Sequence, residues 1–316
     1  GDDIARVEIV KGPQSALYGR NTFGGAVNII SRPPGNDMSL RGTAEIGEYG
    51  GFGLKVSANL PLIDDKLFFR AGLNFRKSGG YFTNSLNGQN LDERRTSILA
   101  ASLEARPSDA LTIRLRVAHD NTDDGDDAIV FADNNARPFN LTGPPFPAAN
   151  QIFIGELKSP TTFAVTPGHN DRDLTATSLA IDLDLGGVTL TSITGYNDLH
   201  IDTAVDLDYS AVRARYTKTI NDTSEVSQEL RLTSNGDSRL SWLAGAYYFK
   251  LRSKTHLEDF WDADALPFAS NLALPGGLRR QLLGGLINDL LETTENYAVF
   301  GQIGYKITDQ IRLTAE

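Results

Sequence analysis

Four histidines, a run of aspartates and one aromatic pair are the residues of this chain whose chemistry could build a site. His119, His169, His200 and His256 lie far apart, and none falls in HExxH, the spacing that sets two imidazoles on one helix face around a zinc ion. No GxSxG marks a nucleophile elbow. Cys is absent, so thiolate ligands, Cys nucleophiles and disulfides are excluded together. "DDGDD" at Asp123–Asp127 has the carboxylates of a calcium loop but lacks its alternating spacing and distant bidentate Glu. It reads as a solvated acidic loop first and a metal site second. Phe260 and Trp261, in what reads as a long loop, could stack on a ligand or pack that loop's own core. The segment Gly12–Gly25 contains neither GxGxxG nor Gly-Lys-Ser/Thr, which rules against a phosphate loop. No nucleophile and base are spaced for catalysis. The chain is therefore expected to be no enzyme and to carry no cofactor or metal.

The totals narrow the partners. The chain has 316 residues and a formal charge of −10, which argues against nucleic acid, since a phosphate-binding surface needs clustered Lys and Arg. No run approaches the roughly 18 apolar residues of a membrane helix. Barrel strands, which carry only alternating apolarity, stay open. The chain starts "GDDIARVEIV" without Met and stops at "QIRLTAE" within a strand pattern, so an internal piece of a longer protein is expected.

The elements that would position any site are strands. In "LFFRAGLNFR", Leu67, Phe69, Ala71, Leu73 and Phe75 share one face, opposite Arg70, Gly72, Asn74 and Arg76, with Phe68 the exception. Leu111, Ile113, Leu115 and Val117 oppose Thr112, Arg114 and Arg116. Leu179, Ile181, Leu183 and Leu185 oppose Asp182 and Asp184, and Tyr297, Val299, Ile303 and Tyr305 oppose Gln302 and Lys306. Such runs give about eleven strands. Short connections near Pro61, Pro107, Gly186, Asn235 and Asp309 alternate with long ones at about 78–92, 122–172, 202–221 and 255–293. Long loops at every second connection would emerge at one end of an up-and-down meander, the pattern of an outer-membrane barrel. A β-sandwich alternates faces too, but its loops need not sort by parity. "LRRQLLGGLINDLLE" at Leu278–Glu292 has roughly helical spacing and is expected to form a short loop helix.

Near the start, "IARVEIVKGPQSALYGRNTFGGAVNIISRPP" closely resembles the end of the plug domain of TonB-dependent outer-membrane receptors. The matching positions include Glu8 and Lys11 on the first strand, then Gly12, Pro13, Tyr18, Gly19, Gly24, Gly25 and Asn28. "SQELRLTS" at Ser227–Ser234, "WLAGAYYF" at Trp242–Phe249 and the closing "YAVFGQIGYKITDQIRLTAE" are similar to the family's barrel. The resemblance implies the plug's C-terminal part at 1–36 and the first half of a barrel of about 22 strands at 37–316. It implies an all-β fold, a plug motif with a structural and gating role, and long loops on the extracellular side. Lys11 would pair with barrel carboxylates; Phe260 and Trp261 would be candidate ligand contacts. The expected partners are TonB with its ExbB-ExbD motor, outer-membrane lipid and a ferric siderophore, with cobalamin, haem, an oligosaccharide or a passive porin role as alternatives. The expected place is the outer membrane of a Gram-negative bacterium.

Local chemistry fits that segment. Gly12-Pro13 ends a strand, because Pro lacks an amide donor and Gly tolerates positive φ. Gly24-Gly25 permits close backbone approach before the second strand. Glu229 and Arg231 face inward if Leu230 and Leu232 face lipid.

Overall fold

A computed structural model of the chain describes residues 4–11, 24–125, 162–163, 167–207, 215–236, 238–261, 285–308 and 310–315. Among the described residues every regular element is a strand. A hairpin comes first, β1 (Ile4–Lys11) and β2 (Gly25–Ser31), antiparallel with Lys11 opposite Gly25 and Glu8 opposite Asn28. There follow β3 (Ser39–Ile46), β4 (Phe52–Ile63), β5 (Leu67–Ser78), the short β6 (Phe82–Asn84) and β7 (Asn90–Leu91), then β8 (Arg94–Ser108) and β9 (Leu111–Gly125). Beyond them lie the two-residue β10 (Thr162–Phe163), β11 (His169–Asp184), β12 (Val188–Asp206), β13 (Arg215–Ser234), β14 (Leu240–Trp261), β15 (Leu286–Lys306) and β16 (Arg312–Ala315).

Eleven of these strands, β3 to β5, β8, β9 and β11 to β16, form one antiparallel sheet in sequence order. The short connections 64–66, 109–110 and 185–187 fall at one end, and the five-residue 47–51 falls at the other. The long connections 79–93, 126–168, 207–214 and 262–285 fall at that other end too. β6, β7 and β10 make a small sheet of their own at that long-loop end.

Cross-strand register explains why the sheet holds together. Leu103, Leu115 and Leu179 are direct neighbours on β8, β9 and β11, as are Ile113 and Ile181. Leu183 and Leu190 face each other, then Leu190 and Leu232. Tyr248 meets Tyr297 with ring centroids 5.1 Å apart. These pairs fall on one face, and that face stays open: Leu230, Leu232, Val299 and Ile303 are exposed. A sheet whose apolar face has no covering layer among the described residues suits lipid, where the exposed stripe costs nothing.

Strands run further than the alternation suggests. β12 and β13 extend to Asp206 and from Arg215, β14 reaches Trp261, and β15 starts at Leu286. The connections expected at 202–221 and 255–293 are correspondingly shorter. The helix expected over Leu278–Glu292 is corrected as well: Leu286–Glu292 is strand, paired residue by residue with Asp259–Ser253 of β14. Residues 278–284 lie outside the described residues. The i, i+4 spacing of Leu286 with Leu290 and of Ile287 with Leu291 resembles a helical stripe, but β14 offers this segment a continuous ladder along one side, and that pairing wins.

Candidate functional site

The hairpin marks which side of the sheet is the inside. Ile4 of β1 lines a cavity of about 210 Å³ with Arg41, Lys55, Asn74, Ile98 and Arg116, all positions on the polar side of their strands. The hairpin is thus on the charged face, opposite the apolar one. Within it, Glu8 accepts a hydrogen bond from Arg6 Nε at 2.7 Å and another from Asn28 Nδ2 at 3.3 Å. The bond from Arg6, opposed by a smaller desolvation effect, holds the half-buried Glu8 carboxyl below its usual range. Gly25 is the glycine this strand pair needs: its φ is +132°, and an added Cβ would sit 2.3 Å from the Val10 carbonyl oxygen. Gly24 has open space around it. Lys11 ends β1. Gly12, Pro13, Tyr18 and Gly19 lie outside the described residues.

The chain leaves the hairpin through a buried Pro34 and is then pinned to the wall. Asn59, 5% exposed on β4, donates from Nδ2 to the carbonyls of Gly35 (2.9 Å) and Asp37 (2.5 Å) and accepts from the Gly35 amide at 3.1 Å. Asn36 and Asp65 exchange two more hydrogen bonds, 2.5 and 3.0 Å, at the short-turn end. An amide side chain that satisfies three backbone groups can hold one loop conformation only. Sequence reading passed over Asn59; its signal was a polar residue at an inward position flanked by Ala58 and Leu60.

The inner wall is a hydrogen-bonded network. Arg114 pairs with Asp182, which also accepts from Thr191 Oγ1 at 2.6 Å. Arg172 reaches Asp120 at 2.9 Å and Asn197 reaches Glu225 at 3.2 Å. Glu229 and Arg231 stand together on this face, 3.7 Å apart, with Leu230 and Leu232 on the other. Phe68, the break in the alternation of β5, is inward and 1% exposed; the Arg106 guanidinium lies 5.0 Å over its ring while bonding the buried Glu104 at 2.6 Å. A cation over the ring covers an inward aromatic and removes the cost of its polar surroundings.

At the long-loop rim three aromatics meet. Tyr49 and Tyr81 pack edge to face at 4.9 Å, as do Tyr81 and Phe82. Asp92 holds this corner by accepting from the amides of Tyr81 (2.9 Å) and Phe82 (3.2 Å). Gly80, at φ +77°, lets the backbone pass where a Cβ would lie 2.1 Å from the Leu91 carbonyl oxygen. Tyr49 and Tyr81 remain about half exposed. The aromatic pair expected in a loop is placed differently: Phe260 and Trp261 are the last residues of β14, opposite Tyr216 and Arg215. Phe260 is partly exposed.

The four histidines share one location. His119, His169, His200 and His256 have the lipid-side parity of their strands but lie past the apolar stretch, toward the long loops. His169 meets Asp202 at 3.1 Å, His200 meets Asp222 at 2.6 Å, and His256 meets Asp289 at 2.6 Å and Glu258 at 3.0 Å. His119 bonds Thr175 Oγ1 at 3.0 Å. These are cross-strand or same-strand polar pairs. Asp123 and Asp124 belong to β9 rather than to a loop, and Asp126 and Asp127 lie outside the described residues. Among the described residues no three His, Asp or Glu side chains are placed to hold a metal.

No family model matches the chain. Over 89 residues, 28% of its length, the chain is 37% identical to the metal-pseudopaline receptor CntO of Pseudomonas aeruginosa, of which the match covers 12%. Over 110 residues, 34% of its length, it is 32% identical to the pesticin receptor of Yersinia pestis, of which the match covers 16%. Among solved structures, the ferric yersiniabactin uptake receptor FyuA from Yersinia pestis matches 99% of the chain with a TM-score of 0.67 at 16% identity. The match takes in 51% of FyuA, so the chain spans about half the length of that receptor. The ferripyoverdine receptor of the Pseudomonas aeruginosa outer membrane matches 98% of the chain with a TM-score of 0.66 at 13% identity, over 40% of its own length. An eleven-stranded meander with an apolar exterior, a hairpin on its inner side and these relatives agree: the chain is a relative of the TonB-dependent outer-membrane receptors, with the fold of about half of one.

Proposed function

We propose that the protein takes up a scarce ligand, a ferric siderophore first of all, across the outer membrane of a Gram-negative bacterium, driven by TonB and its ExbB-ExbD motor. The observation that carries this reading is the hairpin seated on the charged side of a sheet whose other side is apolar. Backbone groups in hydrocarbon must all be paired, so such a sheet works in a membrane only once closed into a barrel. A closed barrel of about 22 strands has a lumen wide enough to need a plug. A plug blocks passive flow, so passage needs energy and a trigger, which separates this reading from a porin. Residues 1–36 are the C-terminal part of that plug and 37–316 the first half of the barrel. Glu8, Lys11, Gly12, Pro13, Tyr18, Gly19, Gly24, Gly25 and Asn28 have a structural and gating role. Tyr49 and Tyr81 at the rim offer ring faces to an arriving ligand, ahead of Phe260 and Trp261. The work is binding and gated displacement, without covalent chemistry.

The relatives' names favour a chelated metal over cobalamin, haem or oligosaccharide. Growth of the source bacterium under iron limitation, with and without the whole gene, tests the reading: loss of growth rescued by simple ferrous salts is expected. Unchanged growth and unchanged uptake of labelled ferric chelates would exclude iron as the cargo.

A further inference from the structure

His200 stands at the centre of a cross of carboxylates. On its own strand, β12, the side chains two positions away on the same face are Asp198 and Asp202. Its register neighbours are Asp173 on β11 and Asp222 on β13. In a sheet such neighbours lie about 5 Å apart across strands and about 7 Å apart along one. Nδ1 of His200 meets Asp222 Oδ1 at 2.6 Å, and both side chains are exposed. His200 comes four residues after Tyr196 on that face. At about 3.3 Å per residue and a tilt near 40°, that is about 10 Å further along the membrane normal, beyond the acyl chains. Other groups reach the same carboxylates. Lys218 bonds Asp202 at 3.2 Å, as does His169 at 3.1 Å, and Lys254 of β14 is the register neighbour of Asp222. Asn121 donates to Asp173 at 2.7 Å, His119 lies 3.8 Å from Asp173, and the Tyr196 hydroxyl donates to Asp198 at 3.3 Å. Each histidine contact with a carboxylate crosses one strand boundary: β9 to β11, β11 to β12, β12 to β13 and, through His256 and Asp289, β14 to β15.

We propose that His200 is the pin of a proton-operated clasp: charged, it ties β11, β12 and β13 together above the membrane, and neutral, it lets them part. The inference rests on the outer-membrane reading only for placing this stretch above the acyl layer. With its second proton the ring is a cation among four carboxylates, and its bond to Asp222 is charge-assisted. Without that proton, like charges on adjacent strands face each other around a neutral ring, which weakens the pairing. The bond to Asp222 does most to hold the His200 pKa above its ordinary 6.5; burial opposes it, and the charges of Asp222, Asp202 and Asp173 add to it. A proton held more tightly by the folded sheet than by the unfolded chain stabilises the sheet fully below the ordinary value of 6.5. That stability is lost as the pH rises through the raised value. Exposed partners are screened by salt, so the effect is local and sets how often these strand ends open. β12 and β13 carry one of the connections at the long-loop end, so the mouth is firm in mild acid and loosens in alkali.

The test is hydrogen exchange of the intact receptor in mild detergent, read by mass spectrometry at about pH 6 and about pH 9 and corrected for the intrinsic rate at each. The β12 stretch Leu199–Asp206 is expected to be about fivefold better protected at the lower pH, the upper end for an exposed ion pair. Leu179–Asp184, within the apolar stretch, should be equally protected at both. His200→Gln should lose the difference and keep the weaker protection throughout. His200→Arg, whose charge is permanent, should keep the stronger protection at both values. A packing defect would weaken both variants alike, so this rescue separates charge from shape. Molar salt should shrink the wild-type difference. Equal protection of the wild type at the two values, a full difference surviving in His200→Gln, or His200→Arg strands that still loosen at the higher pH overturns the proposal. Failed iron-chelate uptake with the pH response intact would sink the transport reading and leave the clasp standing; intact uptake without the pH response would sink the clasp alone.

Discussion

Asn59 is the side chain on which the join between hairpin and sheet depends. It satisfies two carbonyls and one amide of the Gly35–Asp37 segment from a nearly fully buried position. Asn59→Ala leaves those groups without partners and is expected to weaken the segment by about 1–3 kcal/mol. Asn59→Asp keeps the acceptor for the Gly35 amide but loses both donated bonds, so it should fall in the same direction. Hydrogen exchange at the Gly35 amide in the whole receptor reads this directly: protection should drop in both variants. Unaltered exchange in Asn59→Ala would mean the segment is held by something else. Little of this was legible beforehand. An asparagine between Ala58 and Leu60 says only that it faces the polar side, and its partners come from another stretch of chain. The glycines divide in a similar way. That a close approach was needed near Gly24-Gly25 was readable from composition; that Gly25 alone meets the Val10 carbonyl needed the register.

At the scale of strands, number and order were readable and length was not. Alternation has contrast only where one face meets lipid and the other water. Leu111 to Val117 and Leu179 to Leu185 show that contrast, and both lie in the expected strands. Past the apolar belt both faces are wet. "HNDR" at the start of β11 and "RYTKTIN" at the start of β13 therefore carry no periodic signal and read as loop, although their backbones pair continuously. The same loss of contrast hid the histidines, whose shared parity shows only when each strand is followed past its apolar part. A labelling experiment tests the facing itself. The chain has no cysteine of its own, so Ile113→Cys and Leu183→Cys each add one labelling site to it, read against the unmutated protein as background. In the intact receptor both should react with a maleimide confined to the acyl region, and Thr112→Cys on the opposite face only with a water-borne one. Reversed reactivity would turn the barrel inside out and end the transport reading.

At the scale of the whole molecule, the sheet among the described residues runs from β3 to β16 without closing on itself. Two free edges and a broad apolar face, with Val299 88% exposed, are a template for pairing with other chains. The 316-residue chain expressed alone in water is expected to precipitate or to form large oligomers, and sedimentation without detergent would show it. A monodisperse soluble monomer would contradict the assignment of that face to lipid. The hairpin carries a smaller version of the same problem: Val7, Ile9, Val27 and Ile29 line one exposed side of it.

β14 has 22 residues, about twice what a tilted strand needs to cross a bilayer. In a closed barrel the surplus would rise from the cell surface as a collar whose residues answer to each other and to whatever drifts past. Changes in that collar would leave the fit to the acyl layer untouched, so its side chains answer to the pairing of neighbouring strands and to water.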